Sequence, residues 1–206
     1  MKADPFVQLR LLDVQTLDSQ LDSLEHRIRT LPEHAQLQDL ARQRAVVDNR
    51  VRDLQVRVSD LTAEQEKADA DVEQVKARRE RDRTRMDQGL ISNPKDLERM
   101  SQELVSLERR ISDLEDAEIE VMAALEDAQG ELTVAAREAA ALDQEIAQVT
   151  ASRDQQGNSM KSQADEVRRE RALTVDGLPA DLLALYTRLR EQKGGVGAAA
   201  LHRRQC

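Results

Sequence analysis

Aromatic residues are almost absent from this chain of 206 residues, which has one Phe, one Tyr and no Trp. Glycine and cysteine are also scarce, with seven Gly and a single Cys, Cys206. A parallel α/β enzyme core needs Val- and Ile-rich strands and glycine-containing turns, so this composition argues against one. The single cysteine excludes an internal disulfide framework, and no apolar run approaches the roughly 18 residues of a membrane span.

Helix-forming and charged residues are abundant instead. Ala, Leu, Glu, Lys and Arg make up about half of the chain, which is typical of long helices or coiled coils. The formal net charge is −9, so any contact with nucleic acid must use a local basic patch. The first five residues carry no apolar signal region, and we expect a cytoplasmic protein with no membrane partner.

Apolar residues recur at helical spacing along three stretches that proline and glycine separate. Asp4-Pro5 predicts a helix start, and Leu31-Pro32 predicts a break with a kink. From Leu97 to Val149 the apolar stripe persists for about seven heptads, which is specific for a coiled coil. The predicted long helices cover residues 4–30, 33–87 and 94–173, with a loop at 88–93.

The loop at 88–93 determines the predicted topology, because a short connection between two long stripes folds them into an antiparallel hairpin. We therefore predict an all-α protein: a long, kinked antiparallel coiled-coil hairpin over 1–175, then a short helix within 176–193 packed at its base. The leucines and Tyr186 of that short helix are expected to pack against Phe6, Leu9 and Leu12. Residues 194–206, which begin with a glycine-rich stretch, are predicted to form a linker.

Three motifs occur in order along the chain. They are Leu11–Asp18 with Leu31-Pro32-Glu33 downstream, the loop-end sequence Asn93–Leu97, and Gly177–Tyr186 followed by Ala200–Cys206. In this combination the chain resembles the bacterial C4-type zinc-ribbon proteins, in an actinobacterial form, over essentially its whole length.

The resemblance implies a coiled-coil hairpin followed by a four-cysteine zinc ribbon. Cys206 matches the first metal-binding cysteine, and the other three ligands are missing from this sequence. Because a structural zinc site needs four ligands, we expect a truncated chain without its ribbon, and zinc only in the full-length protein. Members of the family are described as nucleic-acid-binding proteins, some of them adaptors in transcription and flagellar regulation. RNA or DNA and a transcription-related protein are therefore the implied partners.

The basic residues near the predicted loop are the main candidate site. Arg and Lys at the end of a projecting arm can neutralise phosphates, although no aromatic residue lies nearby to stack on bases. The alternative is a solvated coiled-coil surface. The candidates are Lys76, Arg78, Arg79, Arg81, Arg83, Arg85, Lys95 and Arg99.

A second basic group adjoins the position of the implied ribbon and consists of Lys193, His202, Arg203 and Arg204. These residues would extend the nucleic-acid contact of a ribbon, or they belong to an ordinary solvated linker.

No catalytic constellation emerges, and we expect no enzyme activity. Glu118 is the charged residue on the third apolar stripe, and we interpret it as a register device or as a snorkelling surface residue. Two hypotheses remain: a nucleic-acid-binding adaptor, or a structural or protein-interaction coiled coil that binds no nucleic acid. The wide apolar face near the N-terminus leaves both a monomer and a homodimer open.

Overall fold

The computed structural model describes residues 4–200, which form four α-helices and no strand. They are α1 (Pro5–Arg29), α2 (Pro32–Asp87), α3 (Pro94–Val175) and α4 (Ala180–Gln192). The predicted all-α architecture, with two long antiparallel helices and a short C-terminal helix, is confirmed. None of the helices in this part of the chain is both long and apolar enough to cross a bilayer.

Side-chain caps and prolines set two of the helix starts. The Asp4 carboxylate accepts a hydrogen bond of 2.8 Å from the backbone N–H two residues on, and Pro5 is the first helical residue. Asn93 Oδ1 accepts the equivalent bond at 3.1 Å, immediately before Pro94 begins α3. Both caps satisfy N–H groups that have no partner within the helix, and the helix start at Asp4-Pro5 was expected from the sequence.

The loop after α2 begins with a glycine cap. Gly89 has a φ of 66°, in the left-handed region that side chains disfavour. Its N–H donates to the Met86 carbonyl at 3.0 Å, and the Leu90 N–H donates to the Arg85 carbonyl at 3.2 Å. This pair of bonds is a Schellman motif, which satisfies the last carbonyls of α2 and ends the helix.

Contacts within the chain define two compact units. The arm unit is Arg42–Asp143, and the base unit contains residues up to Ala41 and from Gln144 onward. The short helix α4 therefore belongs to the same unit as α1 and the end of α3.

In the arm unit, ion pairs between α2 and α3 show the antiparallel register. Arg44 lies 2.7 Å from Asp143, and Lys76 lies 2.8 Å from Glu115, so residue numbers rise along α2 as they fall along α3. Exposed ion pairs contribute only about 0–1 kcal/mol each, so the apolar seam supplies most of the stability. Its buried residues are Val47, Leu54, Val72, Leu107, Ile111, Leu125, Ala128, Ala135 and Ala139.

In the base unit, α4 packs on α1. The expected contact with Phe6 and Leu9 is wrong, since these side chains are 79% and 58% exposed. The face of α1 that α4 covers contains Val7, Leu11 and Val14, at spacings of four and three residues, and neither Phe6 nor Leu9 falls on it. The buried cluster consists of Leu11, Val14, Leu182 and Tyr186.

The break between α1 and α2 is also packed in the base unit. Leu31 is buried in a cluster with Leu24, Met160 and Ala164. Glu33, two residues later, is 8% exposed and accepts hydrogen bonds from Ser152 and Gln156 of α3. Leu31 and Glu33 therefore hold the segment between α1 and α2 against α3, the first by apolar packing and the second by hydrogen bonds.

Candidate functional site

Five of the eight predicted cations near the loop form ion pairs with carboxylates. Lys76 Nζ bonds to Glu115 of α3, and this carboxylate raises the pKa of Lys76. A phosphate that binds at any of these five positions competes with a carboxylate for the cation. The other pairs are Arg78 with Glu103, Arg79 with Glu108, Arg83 with Asp87 and Arg99 with Asp96.

The remaining three predicted cations, Arg81, Arg85 and Lys95, are exposed and have no ion pair within residues 4–200. They belong to a segment, 76–110, that carries ten Lys or Arg against seven Asp or Glu. The rest of the chain is acidic, because the whole has a formal net charge of −9. The excess of positive charge lies on the α2 side of the loop, because residues 76–87 carry six Lys or Arg against three Asp or Glu, whereas residues 94–110 carry four of each sign.

One groove in the arm unit brings basic residues of both helices together. Arg81 of α2 and Arg110 of α3 line the same groove, which has a volume of about 380 Å³. Apolar side chains, Val75, Leu107 and Leu114, also line it. Arg110 was not predicted as a site residue. The adjacent pair Arg109-Arg110 was the sequence signal, but only the antiparallel register places it beside Arg81.

The second predicted basic group is described only at Lys193. Its exposed side chain follows α4, and its backbone N–H donates to the Leu189 carbonyl at 2.9 Å. Arg203, Arg204 and Cys206 lie outside the described residues.

The described residues do not fit a zinc site. Among residues 4–200 there is no group of three or more His, Cys, Asp or Glu side chains arranged to hold a metal ion. A tetrahedral structural site needs four ligands, and Cys206 is the only cysteine in the sequence.

Asp18 is the centre of a buried polar network in the base unit that the sequence did not predict. Its carboxylate, 4% exposed, accepts hydrogen bonds from Arg171 Nε at 2.5 Å and Tyr186 Oη at 2.8 Å, and Arg190 Nε lies 3.8 Å away. Burial and the bond to Asp18 raise the pKa of Tyr186. Because a buried carboxylate must be paired, these groups tie α1 to α3 and α4.

Gln15 binds the backbone that follows α4. Its Oε1 accepts hydrogen bonds from the N–H groups of Gly197 at 2.6 Å and Ala198 at 3.2 Å, and its Nε2 donates to the Gly195 carbonyl at 2.8 Å. A Cβ on Gly197 would lie 2.7 Å from the Tyr186 ring, so this close approach requires glycine. The signal in the sequence was two polar residues, Gln15 and Asp18, three apart within an apolar stretch.

Glu118, the charged residue on the third apolar stripe, contacts a carboxyl of the facing helix. Its carboxyl is hydrogen-bonded to Asp69 of α2, and this bond, partial burial and repulsion from Asp69 raise the pKa of Glu118. Lys76 opposes the shift, and Glu115 adds to it. The negative charge of Asp69 therefore disfavours the ionised form of Glu118.

The Asp69–Glu118 pair predicts a pH-dependent stability of the arm. A raised pKa in the folded state means that the stabilising protonated form is absent above that pKa and fully populated below the ordinary pKa of an unfolded Glu. We expect Glu118→Gln to raise the thermal midpoint at pH 7.5, and the gap from the parent protein to shrink as pH falls through the Glu118 pKa. Thermal unfolding followed by circular dichroism at several pH values measures this difference in thermal midpoint.

Glu120→Gln is the matched control, since Glu120 is exposed on the same helix. The prediction is contradicted if the difference in thermal midpoint between Glu118→Gln and the parent stays constant over the pH range. It is also contradicted if this difference equals the one measured for Glu120→Gln.

Comparisons with known proteins agree with the fold. The family model for the CT398-like coiled-coil hairpin domain matches residues 14–194. Two uncharacterized proteins from Mycobacterium tuberculosis strains, MT2288 and Rv2229c, are each 29% identical over 206 residues, covering 100% of this chain and 83% of their own length.

Two solved structures are similar. A protein from Mycobacterium smegmatis gives a TM-score of 0.86 at 28% identity, covering 100% of this chain and 85% of its own. The HP0958 protein from Helicobacter pylori gives a TM-score of 0.54 at 13% identity, covering 94% and 80%, and shares the fold alone. Since the family model spans most of the sequence and all of α2, α3 and α4, the chain belongs to the family of CT398-like coiled-coil hairpin domains.

Proposed function

We propose that this protein is a nucleic-acid-binding adaptor in which cations near the loop between α2 and α3 contact the phosphates of RNA or DNA. The observation that supports this most directly is the exposure of Arg81, Arg85 and Lys95 without an ion pair among the described residues. Cations that replace condensed counterions on a phosphate backbone gain affinity from the released ions.

The chemistry of the arm favours contacts with the backbone rather than with bases. The chain has one Phe and one Tyr, Phe6 and Tyr186, and both belong to the base unit. Without aromatic side chains near the loop there is no stacking platform for bases. Binding through the arm is therefore expected to depend little on sequence.

The adaptor role and the metal are supported by the resemblance to C4-type zinc-ribbon proteins. In this proposal a zinc ribbon of the full-length protein adds a second nucleic-acid contact, which Lys193, Arg203 and Arg204 extend. The arm engages a transcription-related protein in the cytoplasm, and the protein catalyses no reaction.

A purely structural or protein-interaction role is the second candidate. It is favoured by the five ion pairs that neutralise most of the predicted cations near the loop. A neutralised arm acts as a spacer or as a protein-binding surface and has little attraction for phosphates.

Salt dependence distinguishes the two roles. We expect the parent protein to bind single-stranded RNA and duplex DNA at 50 mM salt and to weaken steeply at 200 mM. In the triple variant Arg81→Gln, Arg85→Gln, Lys95→Gln, affinity at 50 mM falls about 10- to 100-fold, and the slope of log K against log salt falls by about 2 to 3. Fluorescence anisotropy at several salt concentrations gives both numbers.

The matched control is Arg52→Gln, Arg57→Gln, Lys67→Gln. These three cations are also exposed on α2 but lie farther from the loop. The control variant therefore has the same net charge as the first triple variant. If the parent protein shows no salt-dependent binding, the structural role is correct. If the two triple variants lose equal affinity, the cations near the loop have no special part in binding.

A further inference from the structure

The groove lined by Arg81 and Arg110 departs from the charge pattern of the arm unit. Several other cations of α2 meet carboxylates of α3, as in Arg44 with Asp143 and Arg79 with Glu108. Here an arginine of each helix, Arg81 and Arg110, lines one groove, and neither has an ion pair within residues 4–200. Like charges that meet across two helices repel each other, and an anion between them converts the repulsion into attraction.

The other side chains of the groove lining do not compensate this charge. Arg78 lines the same groove, but its guanidinium already bonds to Glu103. Asp71 is the carboxylate in the lining, and it precedes Arg81 by ten residues, or about 15 Å of helix. The positive charge near Arg81 and Arg110 therefore has no nearby carboxylate in the groove lining.

We propose that this groove binds one phosphate group between Arg81 and Arg110. Guanidinium forks from two directions match the oxygens of a tetrahedral phosphate, and the Gln74 amide in the lining can donate a further hydrogen bond. Val75, Leu107 and Leu114 form the apolar part of the lining, and their side chains offer no polar group that competes for the arginines.

The phosphate can belong to a nucleic-acid backbone or to a free phosphate anion. The first source rests on the proposed function, and the second does not. The chemistry in the groove is the same for both, since each presents anionic oxygens to the same two side chains.

The test follows the Arg side-chain Nε–Hε signals of the full chain by NMR during three titrations. The probes are inorganic phosphate, a phosphodiester DNA oligonucleotide, and a methylphosphonate oligonucleotide of the same sequence, which lacks backbone charge. We expect the Arg81 and Arg110 signals to shift together with one or both charged probes and to stay unchanged with the neutral one.

Two double variants test the assignment. Arg81→Gln, Arg110→Gln is expected to weaken binding of the active probe at least 10-fold. Arg83→Gln, Arg99→Gln removes the same charge from the same region, but each of these residues is paired on its own helix, and we expect less than a 2-fold change. Unchanged helicity and melting of both variants show that folding is not the cause.

The outcomes separate this proposal from the proposed function. Shifts with phosphate but with neither oligonucleotide support the groove and overturn the nucleic-acid role. Oligonucleotide binding that Arg81→Gln, Arg110→Gln leaves intact supports the nucleic-acid role and overturns the groove. Equal losses in the two double variants, or no shift at Arg81 and Arg110, also overturn the groove.

Discussion

Asp18→Ala lowers the free energy of unfolding of the base unit by about 3 kcal/mol, the expected result for a broken buried ion pair. The substitution leaves Arg171, Arg190 and the Tyr186 hydroxyl without the carboxylate that all three approach. This expected loss lies at the lower end of the range of about 3–5 kcal/mol for removing one partner of a buried ion pair. The side chains of Arg171 and Arg190 remain 32% and 26% exposed, so water can solvate them after the change.

Chemical denaturation followed by circular dichroism measures the loss. Asp13→Ala is the matched control, because Asp13 is an exposed carboxylate on the same helix, and its loss is expected within about 0.5 kcal/mol of zero. Asp18→Asn keeps an acceptor for Tyr186 and removes the charge, so it falls between the two. An Asp18→Ala protein as stable as the Asp13→Ala protein would show that the buried network contributes no stability.

Tyr186→Ala produces the second large loss, about 3–5 kcal/mol, because it removes an aromatic ring from the centre of the base-unit core. Tyr186 is 2% exposed and belongs to the cluster with Leu11, Val14 and Leu182. Tyr186→Phe keeps the ring and removes only the hydroxyl that donates to Asp18, which costs about 1 kcal/mol. The difference between the two variants isolates the contribution of packing.

Local proteolysis gives an independent measurement for Tyr186. The backbone at Gly197 lies against the Tyr186 ring, and Gln15 bonds to both. Loss of the ring therefore frees the segment after α4, and trypsin is expected to cut faster after Lys193 in Tyr186→Ala than in Tyr186→Phe. Equal stability and equal cleavage in the two variants would mean that the ring has no packing role.

The features predicted correctly from the sequence are those set by residues close together in the chain. The hairpin turn follows from Gly89, Asn93 and Pro94, whose caps act within a few residues of themselves. The helix spans follow from apolar spacing, which is a local periodicity. Hence the all-α hairpin was predictable without any knowledge of which surfaces meet.

The features that the sequence could not give depend on contacts between distant residues. Asp18 and Arg171 are 153 residues apart, and although Asp18 interrupts an apolar stretch, nothing in the local pattern identifies Arg171 as its partner. The same holds for the cations near the loop. The register of α3 against α2 brings Glu108 beside Arg79 and neutralises it, whereas it brings no such partner to Arg81 among the described residues.

The hairpin turn also orders the folding of the chain. Contacts nearest the turn join residues only 25 to 29 positions apart, as in Arg78 with Glu103 and Arg79 with Glu108. Those between Asp18 and Arg171 or Gln15 and Gly197 close loops of 153 and 182 positions, at a higher entropic cost. We therefore expect the contacts near the turn to form first and those within the base unit to form late. Substitutions at Asp18 and Tyr186 are accordingly expected to speed unfolding and to leave the folding rate nearly unchanged.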